Sequence, residues 1–307
     1  MRMSMDRLIE KIIVKGNPTV VGLDPNLKNI PPYLLEKHVK EHGETLKAAA
    51  EAIYEFNVGL IDALYGIVPA VKPQSAYYEM YGVEGINALK RTMDYAKSKG
   101  MYVILDVKRG DIGSTASAYA DAYLGSVKVG ETVIEPFAAD CITVNGYLGS
   151  DGVLPFVERC KENGKSIFVL VKTSNPSSNE LQDLVAGTRT IYQVMAEKTN
   201  LWGEDLVGKN GYSDVGFVVG ATHPTQLLEL RRAHPRQFFL VPGYGAQGAT
   251  ARDLAGAFDR RGLGAIVNSS RGIIFAWQKT DCKTGENFAE AAYDAAVAMR
   301  DDLKRYC

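Results

Sequence analysis

Short apolar segments alternate with helical patterns along nearly the whole sequence, and this alternation constrains the fold more than any other feature. Because parallel strands need long crossover connections, repeated strand–helix units predict a parallel sheet. Eight repeats within 307 residues favour a closed (β/α)8 TIM barrel, with an open doubly wound sheet as the alternative. The predicted strands are Thr19–Leu23, Val68–Val71, Tyr102–Val107, Cys141–Val144, Ile167–Val171, Val215–Gly220, Phe238–Val241 and Ala265–Val267.

The barrel is expected to form one domain over residues 1–307, since no Pro-rich linker or change of composition divides the chain. The segment from about 175 to 212 is long for a connection, although Thr190–Lys198 has a helical pattern. We therefore expect an elaborated loop after the fifth strand. A last helix, from Asn287 to Arg305, would complete the outer layer.

Composition and charge exclude several classes of protein. Hydrophobic residues make up 46% of the chain, which suits a large buried core, and the net charge of −1 argues against a dedicated nucleic-acid surface. No apolar run approaches the roughly 18 residues of a membrane span, and the N-terminal segment lacks the apolar centre of a secretory signal. The four scattered cysteines form no metal or redox pair, so we expect a cytoplasmic protein with reduced thiols.

The end of the third predicted strand carries an unusual density of charge. Asp106 and Lys108 alternate along the strand and should project to the same side, and Asp111 follows a glycine in the next loop. Two carboxylates beside an ammonium group form either an ion-pair network or a catalytic array that presents a proton at a defined point. Ser114 and Thr115 are then predicted to cap a helix that continues to Val127.

Polar side chains also follow the other strands, which is where barrel enzymes place their chemistry. The loops after the seventh and eighth strands resemble a phosphate site, because glycines allow a close backbone approach and arginine can donate two hydrogen bonds to a phosphate. The alternative is that these glycines only form a tight turn. The residues at these strand ends include Asp24, Lys72, Ser174, Pro242, Gln247 and Arg271.

The charged stretch resembles the signature of a known family. The pattern Asp-x-Lys-x-x-Asp-Ile-x-x-Thr is similar to that of orotidine 5′-phosphate decarboxylases, and a looser form occurs in related sugar-phosphate decarboxylases and synthases. Matching motifs at the other strand ends extend the resemblance over nearly the whole chain, to the longer bacterial-type form of the family. The residues that carry the signature are Asp106, Lys108, Asp111, Ile112 and Thr115.

The resemblance implies decarboxylation of orotidine 5′-monophosphate to uridine 5′-monophosphate without a metal or an organic cofactor. It implies that Lys108 donates the proton, beside the acid Asp106. It also implies a homodimer in which Asp111 completes the site of the neighbouring subunit. The remaining matches imply ribose contacts for Asp24 and Lys72, a pyrimidine contact for Ser174, and phosphate contacts for Gln247 and Arg271.

Three alternatives stay open at this stage. A metal-dependent sugar-phosphate decarboxylase or synthase would need carboxylates around the ion, and Lys72 inside the array argues against it. A Schiff-base aldolase would need a lysine with a lowered pKa, and a nucleotide-binding protein without activity would not need the array. His38 and His42 have the spacing of metal ligands, but they lie in a charged surface pattern, and we expect no metal there.

Overall fold

Eight parallel strands close into a barrel in the computed structural model, which describes residues 3–245 and 248–307. Each strand pairs with the next, and β8 returns to β1, so the described part of the barrel has no free sheet edge. The predicted (β/α)8 barrel is confirmed. In chain order, β1 to β8 are Thr19–Leu23, Ala70–Pro73, Tyr102–Arg109, Cys141–Val144, Ser166–Lys172, Val215–Val219, Phe239–Pro242 and Ala265–Ser269.

Helices cover the outside of the barrel and bury one apolar face against the strands. None of those in the described part is long and apolar enough to cross a membrane. In chain order, α1 to α12 are Ser4–Lys15, Pro32–His42, Leu46–Leu64, Ala76–Glu79, Gly82–Ser98, Gly113–Tyr123, Ser150–Asn163, Asn179–Gln182, Ile191–Trp202, Pro224–Ala233, Arg271–Ile274 and Phe288–Leu303.

The second strand begins later than the apolar run predicts. Val68 donates its backbone N–H to Leu64 at the end of α3, which keeps it in the helix terminus. The paired strand is therefore Ala70–Pro73 instead of Val68–Val71. Half of the other predicted strand ends shift by one or two residues, because a strand ends where its ladder of hydrogen bonds ends and not where its hydrophobic run does.

The predicted capping of α6 is wrong. The helix starts at Gly113, with Ile112 at the N-cap position, so that Ser114 and Thr115 lie inside its first turn. It also ends at Tyr123, before the predicted limit. The following residues instead form a short antiparallel hairpin between Val127–Val129 and Thr132–Ile134, whose strands are exposed.

The long segment after β5 is partly loop and partly regular barrel structure. It contains the short helix α8 and a hairpin whose two strands, Val185–Ala186 and Arg189–Thr190, have two residues each. The predicted helix is confirmed, but it extends to Trp202 as α9, which packs on β5 and β6. Thr190 and Gln193 form a capping box at its start, which satisfies otherwise unpaired backbone N–H groups.

An N-terminal helix closes one end of the barrel. The apolar side chains of α1 join those inside the barrel in a single buried cluster, separate from the larger core between strands and helices. Asp214, just before β6, accepts hydrogen bonds from the backbone N–H groups of Ser4 and Met5 at the start of this helix. The opposite end, where the strands finish, is left for the functional site.

Candidate active site

Asp106 is the centre of a hydrogen-bonded array at the end of β3. One carboxylate oxygen contacts Lys72 Nζ at 2.8 Å, and the other contacts Lys108 Nζ at 2.7 Å. Gln74 Nε2 and Thr143 Oγ1 also donate to this carboxylate, at 3.0 and 2.8 Å. Five groups from three adjacent strand ends thus meet at one point, because parallel strands finish on the same side of a barrel.

A backbone irregularity delivers Lys108 to the array. The register between β3 and β4 shifts after Leu105, and Lys108 has φ of 46°, a left-handed conformation that is uncommon for a residue with a side chain. The backbone N–H of Lys108 donates to Thr143 Oγ1 at 2.9 Å, which holds this conformation. The two side chains lie on the same side, as predicted, but a bulge brings them together and not the simple alternation of side chains along a strand.

The charges of the array stabilise one another. Burial opposes ionisation of Asp106, but attraction to Lys72 and Lys108 and their hydrogen bonds outweigh it, so the pKa of Asp106 lies well below its usual range. Burial likewise lowers the pKa of Lys72, while Asp106 and Asp24 raise it by more, so the net shift is upward. The Lys72 side chain is 5% exposed and that of Lys108 is 47% exposed, so Lys108 is the cation that a ligand can reach.

A cavity of about 660 Å³ opens beside the array, within the size range of small-molecule sites. Lys72, Asp106 and Lys108 form its charged wall. Ser174, at the end of β5, lies among its other lining residues. The remaining wall is largely apolar and includes Leu170, Val171, Val218, Leu240 and Pro242.

A second cavity of about 280 Å³ adjoins the first, since Lys72 and Pro242 line both. Asp24 and Asn268 line it too, and each has a side-chain oxygen that is shielded from solvent and has no hydrogen-bond partner in the described structure. Such oxygens are suited to accept hydrogen bonds from a ligand's hydroxyl groups. Arg271 lies at the outer side of this cavity.

The loop after β7 borders the second cavity, as a phosphate-binding loop would. Gly243, Gly245 and Gly248 have φ of 109°, 70° and 92°, values that favour glycine over residues with side chains. Gly248 donates its backbone N–H to the carbonyl of Gly245, which closes a turn. Gln247, predicted to contact phosphate, lies outside the described residues.

Three residues of the signature do not join this array within one chain. Neither cavity is lined by Asp111, Ile112 or Thr115. In the described structure, the Asp111 carboxylate accepts a hydrogen bond from the backbone N–H of Ile112, at 2.8 Å. The side chains of Ile112 and Thr115 are exposed. All three are available to a neighbouring molecule.

Sequence reasoning missed Gln74 and Thr143, which both bind Asp106. Thr143 could have been found, since alternation along Cys141–Val144 determines which side chains point into the barrel. Gln74 carries no such signal, because it follows the last residue of β2 and its orientation depends on its backbone contact with Leu23.

His38 and His42 lie on α2, and neither lines either cavity of the barrel mouth. The structure adds Glu41 to them, with one possible ligand atom from each residue within 4.8 Å of the others. His38 Nε2 contacts Glu55 at 2.7 Å, which gives it a structural role on the helix surface. The prediction that no metal binds stays a prediction.

The sequence is similar to that of known proteins over most of its length. The sequence matches the Orotidine 5′-phosphate decarboxylase / HUMPS family over residues 20–281. It is 44% identical to orotidine 5′-phosphate decarboxylase of Rhodopirellula baltica, over 95% of this chain and 96% of that protein. Identity to the enzyme of the same name from Caldicellulosiruptor saccharolyticus is 41%, over 97% of each chain.

A solved structure has the same fold. The OMP decarboxylase of Leishmania donovani aligns with a TM-score of 0.71 and 31% identity, over 97% of this chain and 99% of that one. The family match, the relatives and the solved structure thus each cover nearly the full length of the chain, including the strand ends that form the array. This chain belongs to the orotidine 5′-phosphate decarboxylase family.

Proposed function

We propose that this protein decarboxylates orotidine 5′-monophosphate to uridine 5′-monophosphate, the last step of de novo UMP synthesis. The observation that carries the proposal is the array of Lys72, Asp106 and Lys108 beside a ligand-sized cavity, in a chain of this family. The relatives give no support to the metal-dependent alternative.

The array can stabilise the charge that makes this reaction difficult. Loss of CO2 leaves an electron pair on pyrimidine C6, with no conjugated group to accept it. A cation already fixed beside that carbon stabilises the developing charge with little reorganisation. Lys108 is held by Asp106 and yet reaches the cavity, so it serves as this cation and then donates a proton to C6.

Asp106 has two tasks in this proposal. It holds Lys72 and Lys108 at fixed positions, and it stays ionised because both cations stabilise its charge. Because Asp106 lines the cavity, it would also lie near the carboxylate that leaves, where repulsion between the two negative groups would raise the energy of the bound substrate. Lys72, shared by the two cavities, connects this region to the ribose.

The second cavity binds the ribose phosphate in this proposal. The unpartnered oxygens of Asp24 and Asn268 accept hydrogen bonds from ribose hydroxyl groups. Arg271 binds the phosphate with Gln247, and Ser174, which lines the larger cavity, contacts the pyrimidine. Pro242 separates the two parts. Phosphate binding, remote from C6, supplies energy that orders the ring against the array.

We also propose a homodimer whose active sites are shared. Asp111, Ile112 and Thr115 lie outside their own chain's cavities, although they belong to the family signature. Ile112 is itself an exposed apolar residue, and the hairpin that follows α6 exposes Val129 and Val133 as well. A two-fold axis through such a surface would carry each Asp111 to the site of the other subunit.

The direct experiment is to incubate metal-stripped protein with orotidine 5′-monophosphate and follow the loss of absorbance of the orotate ring. We expect turnover that a chelator does not change, since the array supplies a cation without a metal. No absorbance change would contradict the proposed reaction. Activity that requires an added divalent ion would favour the metal-dependent alternative. A cytoplasmic location and the absence of nucleic-acid partners stay predictions.

A further inference from the structure

Lys172, the last residue of β5, is fully buried although it carries an ammonium group. An unpaired charge in this position would be strongly destabilising, so its partners matter. Its Nζ donates to Asp183 Oδ1 at 2.7 Å and to Ser178 Oγ at 3.2 Å, and lies 5.9 Å from the ring centre of Tyr192. Both hydrogen-bond partners belong to the segment that follows Ser174 along the chain.

The same segment is tied to Thr173, the residue next to Lys172. Gln182 accepts a hydrogen bond from the backbone N–H of Thr173 at 2.9 Å and donates to its hydroxyl at 2.7 Å. His223 Nε2 lies 3.0 Å from the Thr173 carbonyl oxygen and 3.5 Å from Ser178 Oγ. The backbone that leads into Ser174 is therefore held from the loop and from the end of β6.

Ser174 itself is packed closely against the loop after β6. A side-chain carbon on Gly220 would lie 2.7 Å from Ser174 Cα, so this approach requires glycine. Beyond it, Leu181 and Gln182 line the larger cavity. The segment from Asn175 to Asp183, which we call the ring wall, thus forms one side of the end assigned to the pyrimidine.

We propose that Lys172 is a positioning residue that anchors the ring wall and thereby places Ser174 against the base of the nucleotide. This inference rests on the proposed function for the identity of the ligand. The anchor lies across the barrel from the ribose and phosphate contacts, since Asp24 follows β1, four strands away from β5, and Arg271 follows β8, three strands away. Loosening the wall should therefore weaken binding of the base and not of the sugar phosphate.

The test compares two ligands in Lys172→Met and Asp183→Ala. Binding of uridine 5′-monophosphate, which has a base, and ribose 5-phosphate, which has none, is measured by calorimetry. We expect the first to weaken about tenfold, equivalent to about 1.4 kcal/mol, and the second to stay within about twofold. Protease cleavage within the ring wall should become faster in both variants. Lys172→Met leaves no buried charge behind, because Asp183 is 40% exposed and can be solvated; this variant keeps the test valid if Asp183→Ala, which removes the carboxylate partner of the buried ammonium group, fails to fold.

Lys165→Met is the matched control, because Lys165 lies just before the other end of β5 and is also buried. Its Nζ contacts Glu135 at 3.3 Å, away from both cavities. We expect it to lower the melting temperature and leave the ratio of the two affinities unchanged. A similar change of ratio in this control would show that general destabilisation explains the effect.

Equal weakening of both ligands in Lys172→Met and Asp183→Ala, or no change in either, would overturn the proposal. Its failure can be told apart from that of the proposed function. Wild-type protein that binds uridine 5′-monophosphate without decarboxylating the substrate would contradict the reaction, and the affinity ratio would still test the ring wall. Wild-type protein that binds neither ligand would contradict both.

Discussion

The two ends of the barrel each bury a carboxylate, and they treat it in opposite ways. At the open end, burial disfavours the charge of Asp106, but Lys72 and Lys108 reverse the balance and hold its pKa below the usual range. At the closed end, burial of Asp214 dominates over the hydrogen bonds from Met5 and Ser4 and raises its pKa to about 7. The same functional group is thus kept ionised where chemistry is proposed and loses part of its charge where α1 covers the barrel.

The difference shows how each end is stabilised. The open end retains two buried charges, Asp106 and Lys72, which compensate one another, and the half-exposed Lys108 adds a second cation beside Asp106. The closed end is filled mainly by apolar side chains of α1 against the barrel interior, with Asp214 fastening the start of the helix. Changes at the open end should therefore act on turnover, and changes at the closed end on stability. The predictions below are ordered by their expected effect on turnover.

The largest effect is expected for Lys108→Ala. Removing the cation should lower kcat by at least about 10³-fold, because its charge matters most as the electron pair forms on C6. Binding of uridine 5′-monophosphate should be retained, since the product lacks that charge. Steady-state kinetics and calorimetry measure the two quantities. Near-normal turnover would remove Lys108 from the chemistry.

Mixing Lys72→Ala with Asp111→Ala chains tests the shared site. Each variant should be nearly inactive alone, but a mixed dimer has one site with both lesions and one with neither. Random exchange at equal amounts makes half the dimers mixed, so about a quarter of all sites should recover. The control is a mixture of Lys72→Ala and Lys108→Ala, which leaves one lesion in every site. No recovery in the first mixture, once exchange is shown with tagged chains, would assign Asp111 to its own chain.

Arg271→Ala should have an intermediate effect that depends on the phosphate. A charge-assisted contact is worth about 1.5–3 kcal/mol, so uridine 5′-monophosphate should bind roughly 10- to 150-fold more weakly. Uridine, which has no phosphate, should bind about as it does to the wild type. Inhibition constants for both ligands measure this. Equal weakening would place Arg271 away from the phosphate.

Asp214→Asn should change turnover least and the pH dependence of stability most. The folded pKa of Asp214, about 7, lies above the ordinary value of 3.8 for an aspartate, so folding favours the protonated form. The stability it provides is complete below the lower value and is lost as pH rises towards the higher one. Over that window the melting temperature of the wild type should fall relative to the variant. Parallel curves would show that Asp214 does not titrate in this range.

The two ends of the barrel also differ in how far their structure could be predicted from the sequence. At the open end, Asp106 and Lys108 stood out because charge follows an apolar strand, and the structure joins them as expected. At the closed end, α1 was not predicted, although its apolar residues bury themselves in the barrel. Whether an N-terminal amphipathic helix covers the barrel or lies on its side depends on which surface the other elements leave open.

Sequence alone determined the barrel, because eight apolar segments can be recognised even where their exact ends are uncertain by a residue or two. It also determined which polar residues follow these strands and therefore lie at one end of the barrel. Tertiary structure decided which of those polar groups meet. Lys72, Lys108 and Lys172 all lie at strand ends, yet the first two bind Asp106 while Lys172 is buried beneath the ring wall. The reason is physical: alternation and hydrophobicity are local properties, whereas the partner of a buried charge is set by neighbouring strands, a bulge and the path that the following loop takes.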